Sequence, residues 1–266
     1  MNRDEKLNKK IRRLLAQAQQ PRWLHRFGPK KFELWVLCLG LIIKQTYRLS
    51  YRRAMKFLDE YYSISIHWTT LQKACFRLPQ MLWQSLLSQS AQVESVYLAA
   101  GDGTSFTRNA ASHHYLKRID RDEPVGRPVQ MVPIIAVKER KFLSASFRAY
   151  WRNEIRPIKQ AFSRLKTECD VLLLDKGFDA EHLHWWLYDR GTFAVIPVRK
   201  KAHKGMKRKV MRNCFDYCLY WQRNLVECLF SALKRLFGSV VLGRHIKTQS
   251  TELSCRMIAY NIGAII

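Results

Sequence analysis

Residues 169–179 read CDVLLLDKGFD, an apolar run that ends in an acidic residue and a glycine-containing turn. The four consecutive apolar residues 171–174 are typical of a short strand that is buried on both faces of a sheet. Asp175 follows them directly, and the end of a strand is where a sheet presents side chains to a cleft. The stretch therefore predicts an internal strand that carries a carboxylate at its end.

The flanking segments predict that this strand belongs to a mixed sheet. Residues 156–166 and 181–190 have helical patterns, and residues 193–198 (FAVIPV) form a further predicted strand, in which Pro197 indicates an edge position or an early end. Upstream, three segments are rich in β-branched and aromatic residues: SVYLAAGDGTSF, VQMVPIIAVKER and KFLSASFRAYW. Three strands followed by alternating helices and strands predict an α/β fold, a mixed sheet covered by helices.

The N-terminal part has a different character. Residues 1–92 are predicted to be helical almost throughout and to form a separate DNA-binding region, before a second region of residues 93–266. Two short helices on either side of EYYSIS, capped by Ser50 and Ser65 and closed by Pro79, predict a helix-turn-helix. A plain helical hairpin has a similar pattern. The side chains that the second helix would present to DNA are His67, Trp68, Thr69, Gln72, Lys73 and Arg77.

The charge of the chain indicates the class of its partner. The 266 residues include 47 Lys and Arg against 21 Asp and Glu, a net charge of +26, with 47% hydrophobic and 12% aromatic residues. This apolar content excludes a disordered chain. Such an excess of positive charge repels itself in the folded state, so a polyanion is the expected partner. The basic residues are not confined to one amphipathic helix, which favours nucleic acid over a membrane surface.

The sequence also predicts a cytoplasmic protein. The polar start MNRDEKLNKKIRR does not resemble a secretory signal, and the apolar run at residues 32–43 is shorter than the roughly 20 residues that cross a bilayer. The seven cysteines are odd in number and scattered, as expected for reduced thiols. We expect the chain to be associated with the nucleoid when it is bound to DNA.

Three acidic residues are candidates for a catalytic group. Asp102 follows an apolar strand, Asp175 ends the strand described above, and Glu227 lies within a predicted helix. Carboxylates that meet at strand ends repel one another, and a divalent metal relieves that repulsion. Mg²⁺ prefers such oxygen ligands, and two ions can activate a nucleophile and stabilise a leaving oxygen. Asp-Gly and Asp-Lys-Gly are also common turn sequences, so each aspartate alone is a weak signal.

Residues 220–235, YWQRNLVECLFSALKR, are predicted to form one helix with a polar stripe. At about 100° per residue, four polar side chains fall on the same side of this helix: Tyr220, Arg223, Glu227 and Lys234. The apolar residues opposite them are Leu225, Leu229 and Leu236. The stripe is either a solvated face with an ion pair worth a few tenths of a kcal/mol, or a metal-binding carboxylate flanked by phosphate-binding cations.

A basic run at residues 199–212, RKKAHKGMKRKVMR, lies between the second and third candidate carboxylates. Its position favours contacts with the DNA backbone over a merely solvated loop. Each phosphate that it neutralised would steepen the log–log salt dependence of binding by about 0.9. The cations are Arg199, Lys200, Lys201, Lys204, Lys207, Arg208, Lys209 and Arg212.

These motifs together resemble one family. The polar stripe fits the Y-(2)-R-(3)-E-(6)-K signature of DDE-type insertion-sequence transposases. The segments AGDGTSF around Asp102 and LLLDKGFDA around Asp175 look like that family's first and second aspartate motifs, and GRHIKT at residues 243–248 is similar to its arginine-containing segment. The resemblance covers about residues 95–250, and the N-terminal region matches only in kind.

The resemblance implies a ribonuclease H-like fold in which Asp102, Asp175 and Glu227 bind two Mg²⁺ or Mn²⁺ ions. It implies cleavage of the phosphodiester at the element's end, after which the freed 3′-hydroxyl attacks target DNA. Double-stranded DNA is then the partner, and a homodimer on DNA is expected. Residues 176–226 leave no room for the large β domain that some relatives insert, so functions of that domain are not carried over.

The resemblance also gives roles to the rest of the stripe. Arg223 and Lys234 would position phosphate near the cleavage point, and Tyr220 would support the DNA backbone or the helix. Two other functions stay open beside the transposase. One is a catalytically inactive or co-opted DNA-binding protein of the same fold, and the other is a structure-selective nuclease without strand transfer.

Overall fold

The computed structural model describes residues 3–25, 27, 30–108, 128–149, 155–202 and 204–264. Within these ranges the chain forms eleven α-helices and seven β-strands. Five helices come first: α1 (Arg3–Gln17), α2 (Leu34–Thr46), α3 (Tyr51–Tyr62), α4 (Trp68–Arg77) and α5 (Gln80–Ala91). The apolar helix α2 is buried along almost its whole length, and α1, α3 and α4 pack against it.

The caps of α3 and α4 test the predicted helix-turn-helix in detail. The Ser50 hydroxyl accepts a hydrogen bond from the backbone N–H of Arg53 at 3.2 Å, so the predicted cap of α3 is confirmed. The predicted cap at Ser65 is wrong, because α4 begins later and its cap is His67. Ile66 is buried and lies before the helix, and His67 is still extended, with φ −73° and ψ 141°.

The second part of the chain contains the sheet. Its strands are β1 (Ser95–Gly101), β2 (Thr104–Arg108), β3 (Val129–Ala136), β4 (Lys141–Arg148), β5 (Glu168–Leu174), β6 (Phe193–Val195) and β7 (Val240–Val241). Its helices are α6 (Ile155–Ser163), α7 (Glu181–Tyr188), α8 (Met206–Asn213), α9 (Tyr217–Trp221), α10 (Asn224–Phe237) and α11 (Ile246–Asn261). A short 3₁₀ turn, Lys176–Phe178, follows β5.

The sheet is mixed, as predicted. β3 pairs antiparallel with β4 on one side and with β1 and β2, end to end, on the other. β5 and β6 are added in parallel beyond β1, and β7 pairs in parallel with β2. β6 ends at Val195 and forms an edge of the sheet of described strands, so both consequences expected from Pro197 are confirmed.

The segment SVYLAAGDGTSF, predicted as one strand, is two. β1 ends at Gly101 and β2 begins at Thr104, with Asp102 and Gly103 between them. The Asp102 carboxylate accepts a hydrogen bond from the Gly103 N–H at 2.7 Å, and this local bond replaces pairing with the next strand. The break frees the Asp102 side chain from the sheet.

Apolar side chains cover both faces of the sheet. On one face, Ala99 and Leu172 share a cluster with Ile158 of α6 and Leu183 of α7. The other face, which includes Ala100, belongs to a cluster that also contains residues of α10, α11 and the N-terminal helices. The predicted boundary at residue 92 falls between α5 and β1 and stays a prediction. In the described part of the chain, every helix is too short or too polar to cross a membrane.

The last helix, α11, anchors the region that carries Glu227. It is buried against α2, α4, α5 and β4. Its buried Arg256 donates hydrogen bonds to the carbonyls of Gly238 and Val240, both at 2.8 Å, and Glu252 accepts one from the Leu242 N–H at 2.9 Å. These bonds fix the end of α10 and the strand β7.

Candidate active site

Strand register places the first two candidate carboxylates side by side. In the parallel pair of β1 and β5, Gly101 lies opposite Leu174, and the next residue on each strand is Asp102 or Asp175. A Cβ on Gly101 would lie 2.7 Å from the end of the Ile158 side chain, so α6 packs closely against the strand at this position. The two aspartates therefore occupy neighbouring positions at the same end of the sheet.

Packing of α10 determines where Glu227 points. The buried side of this helix consists of Val226, Leu229, Phe230, Leu233 and Phe237. A fully buried apolar side chain of this size contributes about 1.5–3 kcal/mol, so the orientation of the helix is strongly fixed. Leu225 and Leu236, predicted opposite the stripe, are only half-buried and exposed, respectively. The Glu227 side chain remains 60% exposed.

The signature stretch is not the single helix that was predicted. α9 ends at Trp221 and α10 begins at Asn224. Between them the hydrogen bonds shorten to 3₁₀ type, with Arg223 N–H donating to the Tyr220 carbonyl and Val226 N–H to the Arg223 carbonyl, both at 2.9 Å. Because Arg223 keeps right-handed helical angles (φ −55°, ψ −31°), the chain still turns in the same sense and the polar stripe survives.

Arg223 joins two of the three carboxylates. Its guanidinium donates to Asp102 at 2.8 Å and to Glu227 at 3.0 Å, through different nitrogens. The planar fork of arginine suits such paired contacts. The Arg223 and Asp102 side chains are only 13% and 19% exposed, so this pair is largely shielded from solvent, whereas the pair with Glu227 is open to it.

Tyr220 and Lys234 complete the stripe on either side. The Tyr220 hydroxyl donates to Asp175 at 3.3 Å. The Lys234 ammonium lies 5.3 Å from the ring centroid of Phe106, on β2. Burial lowers the pKa of Lys234 below its usual value. Tyr220 and Arg223 thus contact the aspartates directly, and Glu227 is joined to Asp102 through Arg223. Lys234 lies beside the strand that follows Asp102.

The electrostatics of the site reflect the crowding of its acids. Burial raises the pKa of Asp102, and repulsion from Asp175 and Glu227 adds to this, while the Gly103 N–H and Arg223 oppose it. Burial also disfavours the charge on Arg223, but the neighbouring carboxylates outweigh it and hold the pKa of Arg223 above its usual value. The site is therefore an acidic cluster that retains a cation.

The ligand set can be compared with the needs of a divalent metal. Among the described residues, no group of three or more His, Cys, Asp and Glu side chains is arranged to hold a metal ion. Arg223 lies between Asp102 and Glu227 and pairs with both. The three carboxylates supply only hard oxygen ligands, the kind that Mg²⁺ prefers, so the chemistry of the donors fits this ion. Their assignment as metal ligands stays a prediction.

The basic run is a docked helix, α8, with its flanks, and not a solvated loop. Arg208 forms a 2.7 Å ion pair with Asp179, whose side chain is fully buried. The Lys207 ammonium lies 3.2 Å from the ring centroid of Tyr188 and 4.6 Å from that of Trp185. Two of the predicted DNA-binding cations are therefore engaged in holding α8 in place.

The other predicted contacts of this run fall into two groups. The Arg199 guanidinium donates to the carbonyls of Lys176 and Gly177, at 3.3 and 2.6 Å, so it ties the run to the turn after Asp175. Four further lysines of the run have exposed side chains: Lys200, Lys201, Lys204 and Lys209. Arg212 is also exposed, and its guanidinium donates to the Ala202 carbonyl.

Glu181 is a residue whose role the sequence analysis missed. Its carboxylate accepts from the N–H groups of Lys207 and Arg208, at 2.9 and 3.2 Å, and so caps the N-terminus of α8. Gly205 has φ +119°, and a Cβ on it would lie 2.1 Å from a Glu181 oxygen. An acid that starts one helix gives no local signal that it also caps a later one.

A cleft of about 530 Å³ opens beside Asp175, and it too was not predicted. Its lining combines aromatic rings with cations, and includes Lys176, Arg199, Phe215, Tyr217, Tyr220 and Trp221. Tyr220 belongs both to this cleft and to the carboxylate group. The cleft therefore extends the site along the segment that connects α8 to α10.

The predicted DNA-reading side chains of α4 form a separate group. Gln72 and Lys73 are exposed, while the Thr69 hydroxyl is within 2.8 Å of His67. At the end of the helix, the Phe76 ring packs edge-on against His245, with centroids 5.8 Å apart. The face of α4 therefore adjoins the GRHIKT segment and not the carboxylates.

The likeness of this chain to known proteins is weak. No protein-family model matches the sequence, and no curated protein matches it. Among solved structures, the chain is similar to the piggyBac transposase in its synaptic complex with hairpin DNA, with 10% sequence identity and a TM-score of 0.43. The match covers 97% of this chain and 73% of that one. At this level of similarity, function has to be argued from the site itself.

Proposed function

We propose that this chain is a DDE-type transposase that cuts the ends of an insertion sequence and joins the 3′-hydroxyl to target DNA. One observation carries the proposal. Asp102 and Asp175 follow two adjacent strands and Glu227 lies on a helix, far apart in the sequence, and the contacts of two further side chains link all three at one end of the sheet. Arg223 and Tyr220 contact them there. Five residues that resemble a catalytic signature or its aspartate motifs would not converge in this way on a merely solvated face.

The architecture supports the same proposal. The ribonuclease H-like fold that the resemblance implies requires a mixed sheet flanked by helices, and the described strands form one. Carboxylates at the ends of adjacent parallel strands are well placed to face a cleft. The helical region before the sheet, with α3 and α4, is the proposed DNA-reading part of the molecule.

Asp102, Asp175 and Glu227 are the residues that would hold two Mg²⁺ or Mn²⁺ ions. Such ions, when bound, supply an activated water or hydroxyl and stabilise the leaving oxygen. The protein's own part is to hold three negative side chains close together against their repulsion. The packing of α10 and the ladder of β1 with β5 provide that rigidity.

Cations around the site would hold the DNA. In this proposal Arg223, which now pairs with Asp102, and Lys234, beside β2, would contact phosphate next to the carboxylates, and Tyr220 borders the adjoining cleft. The exposed Lys200 and Lys209 would attract the backbone further away. Cutting and joining two ends requires that they be brought together, so a homodimer on DNA, in the cytoplasm and at the nucleoid, is part of the proposal.

The test is cleavage of a labelled duplex that carries the sequence bordering the gene, in Mg²⁺, Mn²⁺ or EDTA. We expect metal-dependent cuts at the element's end that are lost in Asp102→Ala and Glu227→Gln while DNA binding persists. The matched control is Asp170→Asn, which changes an exposed acid on the strand that precedes Asp175. This variant should cut normally.

The same assay separates the alternatives. Tight binding of the duplex without any metal-dependent cut would contradict the proposal and indicate a DNA-binding protein that does not catalyse. Cuts that are never followed by joining of the 3′-hydroxyl to a second duplex would indicate a nuclease without strand transfer.

A further inference from the structure

Arg223 occupies the position between two of the proposed metal ligands. Its two terminal nitrogens lie 2.8 Å from an Asp102 oxygen and 3.0 Å from a Glu227 oxygen. Mg²⁺ binds carboxylate oxygens at about 2.0–2.1 Å in a near-octahedral shell. A guanidinium that bridges the same two side chains leaves no space for such a shell, so the two arrangements exclude each other.

The hydrogen bonding of Arg223 is incomplete in this arrangement. Its Nε atom is buried and has no hydrogen-bond partner among the described residues. Leaving a buried donor of a charged group unpaired is unfavourable. An acceptor-rich anion such as a phosphate, which can take two parallel bonds from the fork, would satisfy this guanidinium better.

The backbone around Arg223 is suited to a change of side-chain position. Arg223 lies outside both α9 and α10, in the tight turn between Trp221 and Asn224. Glu227, by contrast, is on a helix whose apolar side is buried, and Asp102 is fixed between two strands. The arginine can therefore leave while the carboxylates stay in place.

We propose that Arg223 is an exchangeable cation, which pairs with Asp102 and Glu227 in the DNA-free chain and transfers to a DNA phosphate when substrate binds. This inference rests on the proposed function. The transfer uncovers both carboxylates for divalent metal only when DNA is present. Asp175 is bound by the neutral Tyr220 hydroxyl and is not part of the exchange.

The exchange couples two binding events. Because coupling between sites is reciprocal, DNA must raise the affinity for the metal by the same factor as the metal raises the affinity for DNA. Couplings of this kind typically amount to about 5–150-fold. A chain that gathers its metals only on DNA would be protected against unproductive metal binding.

The experiment measures Mn²⁺ binding to the full chain by electron paramagnetic resonance of the free ion, with and without a saturating 30-base-pair duplex. Binding to the duplex alone is subtracted. We expect the wild-type chain to bind Mn²⁺ at least about 10-fold more tightly in the presence of the duplex. Saturation of the protein is established separately by fluorescence anisotropy, so that weaker DNA binding in a variant is not mistaken for a loss of coupling.

Arg223→Gln distinguishes the exchange from the general attraction of DNA for cations. The variant should bind Mn²⁺ more tightly than wild type without DNA, and most of the gain on adding DNA should vanish. Arg235→Gln removes the same charge from an exposed position on α10 and should keep the wild-type gain. If Arg223→Gln does not fold, Arg223→Lys, which keeps a charge but has no fork, should show a reduced gain.

Two results would overturn the inference. An equal gain in Arg223→Gln and wild type would show that the arginine is not exchanged, and DNA cleavage could still proceed as proposed. Absence of Mn²⁺ binding under both conditions would contradict the exchange and the proposed metal site together. The cleavage assay described above then tells the two failures apart.

Discussion

Two arginine–aspartate pairs in this molecule have similar lengths but different surroundings. Arg208 and Asp179 are 2.7 Å apart, and Arg223 and Asp102 are 2.8 Å apart. Asp179 is fully buried and also accepts the Arg199 N–H at 2.9 Å. Arg208 uses its remaining nitrogens on the carbonyls of Asp179 and Lys204, at 3.0 and 3.4 Å. Each of its three guanidinium nitrogens therefore has a hydrogen-bond partner.

The pair at the carboxylate site lacks this completeness. Arg223 has an unpaired Nε among the described residues, and Asp102 remains 19% exposed with two other carboxylates beside it. A complete network fixes one arrangement, whereas an incomplete one leaves a second arrangement within reach. We conclude that Arg208 serves the fold of the basic segment, while Arg223 is available for substrate.

Replacing each aspartate by asparagine should separate the two pairs most clearly. Asp179→Asn leaves a largely buried Arg208 without its counter-charge and should lower the free energy of unfolding by about 3 kcal/mol. Asp102→Asn relieves repulsion among the carboxylates, and Arg223 keeps Glu227, so it should change that free energy by less than about 1 kcal/mol. Urea unfolding without divalent ions measures both, and equal losses would contradict the distinction.

The stability of the protein should also depend on pH, through a buried histidine that lies near α8. His184 is 4% exposed, and burial lowers its pKa. The nearby cations Arg208 and Lys207 lower this pKa further. The carboxylates of Asp179 and Glu181 oppose the change. In the folded chain the histidine stays neutral to a lower pH than in the unfolded chain, where it becomes protonated below about pH 6.5. The unfolded state then binds more protons, so stability present above that pH is lost as the pH falls through it.

His184→Leu should remove this contribution. One proton changes the free energy of unfolding by at most about 1.4 kcal/mol per pH unit. Unfolding measured between pH 7.5 and 5 should show a smaller slope in the variant than in wild type. The exposed neighbour His182 provides the control, and His182→Leu should keep the wild-type slope. An identical slope in His184→Leu would mean that the histidine is not held neutral.

Much of the sheet and the carboxylate group was predictable, for a local reason. Short apolar runs that end in Asp102 and Asp175 identify both the strands and the positions of their ends. The polar stripe was predicted correctly although its helix breaks, because Arg223 keeps helical angles through the break. The break itself, and the contact of Arg223 with Asp102, depend on tertiary packing and left no local pattern.

The basic segment shows what sequence patterns do not reveal. Arg208 and Lys209 are adjacent in a run of cations, and nothing in the run says which of them has a partner. The partners of this segment, Asp179 and Glu181, precede it in the sequence. Asp179 binds the Arg208 guanidinium, and Glu181 accepts from the backbone N–H groups of Lys207 and Arg208. Likewise, burial of Ile66 moved the start of α4, a tertiary effect that overrides the local capping preference.

The salt dependence of DNA binding should distinguish Arg208 from Lys209. Of the expected effects, this is the smallest. Lys209 is exposed, so Lys209→Gln should reduce the log–log slope of affinity against salt concentration by about 0.9, the value for one phosphate contact. Arg208→Gln should leave the slope nearly unchanged and act on stability, because its guanidinium is already bound to Asp179. Fluorescence anisotropy of a labelled duplex between 50 and 200 mM salt, at a temperature where both variants are folded, gives the two slopes. If Arg208→Gln lowers the slope as much as Lys209→Gln does, the buried pair must open on DNA, and the contrast with Arg223 would disappear.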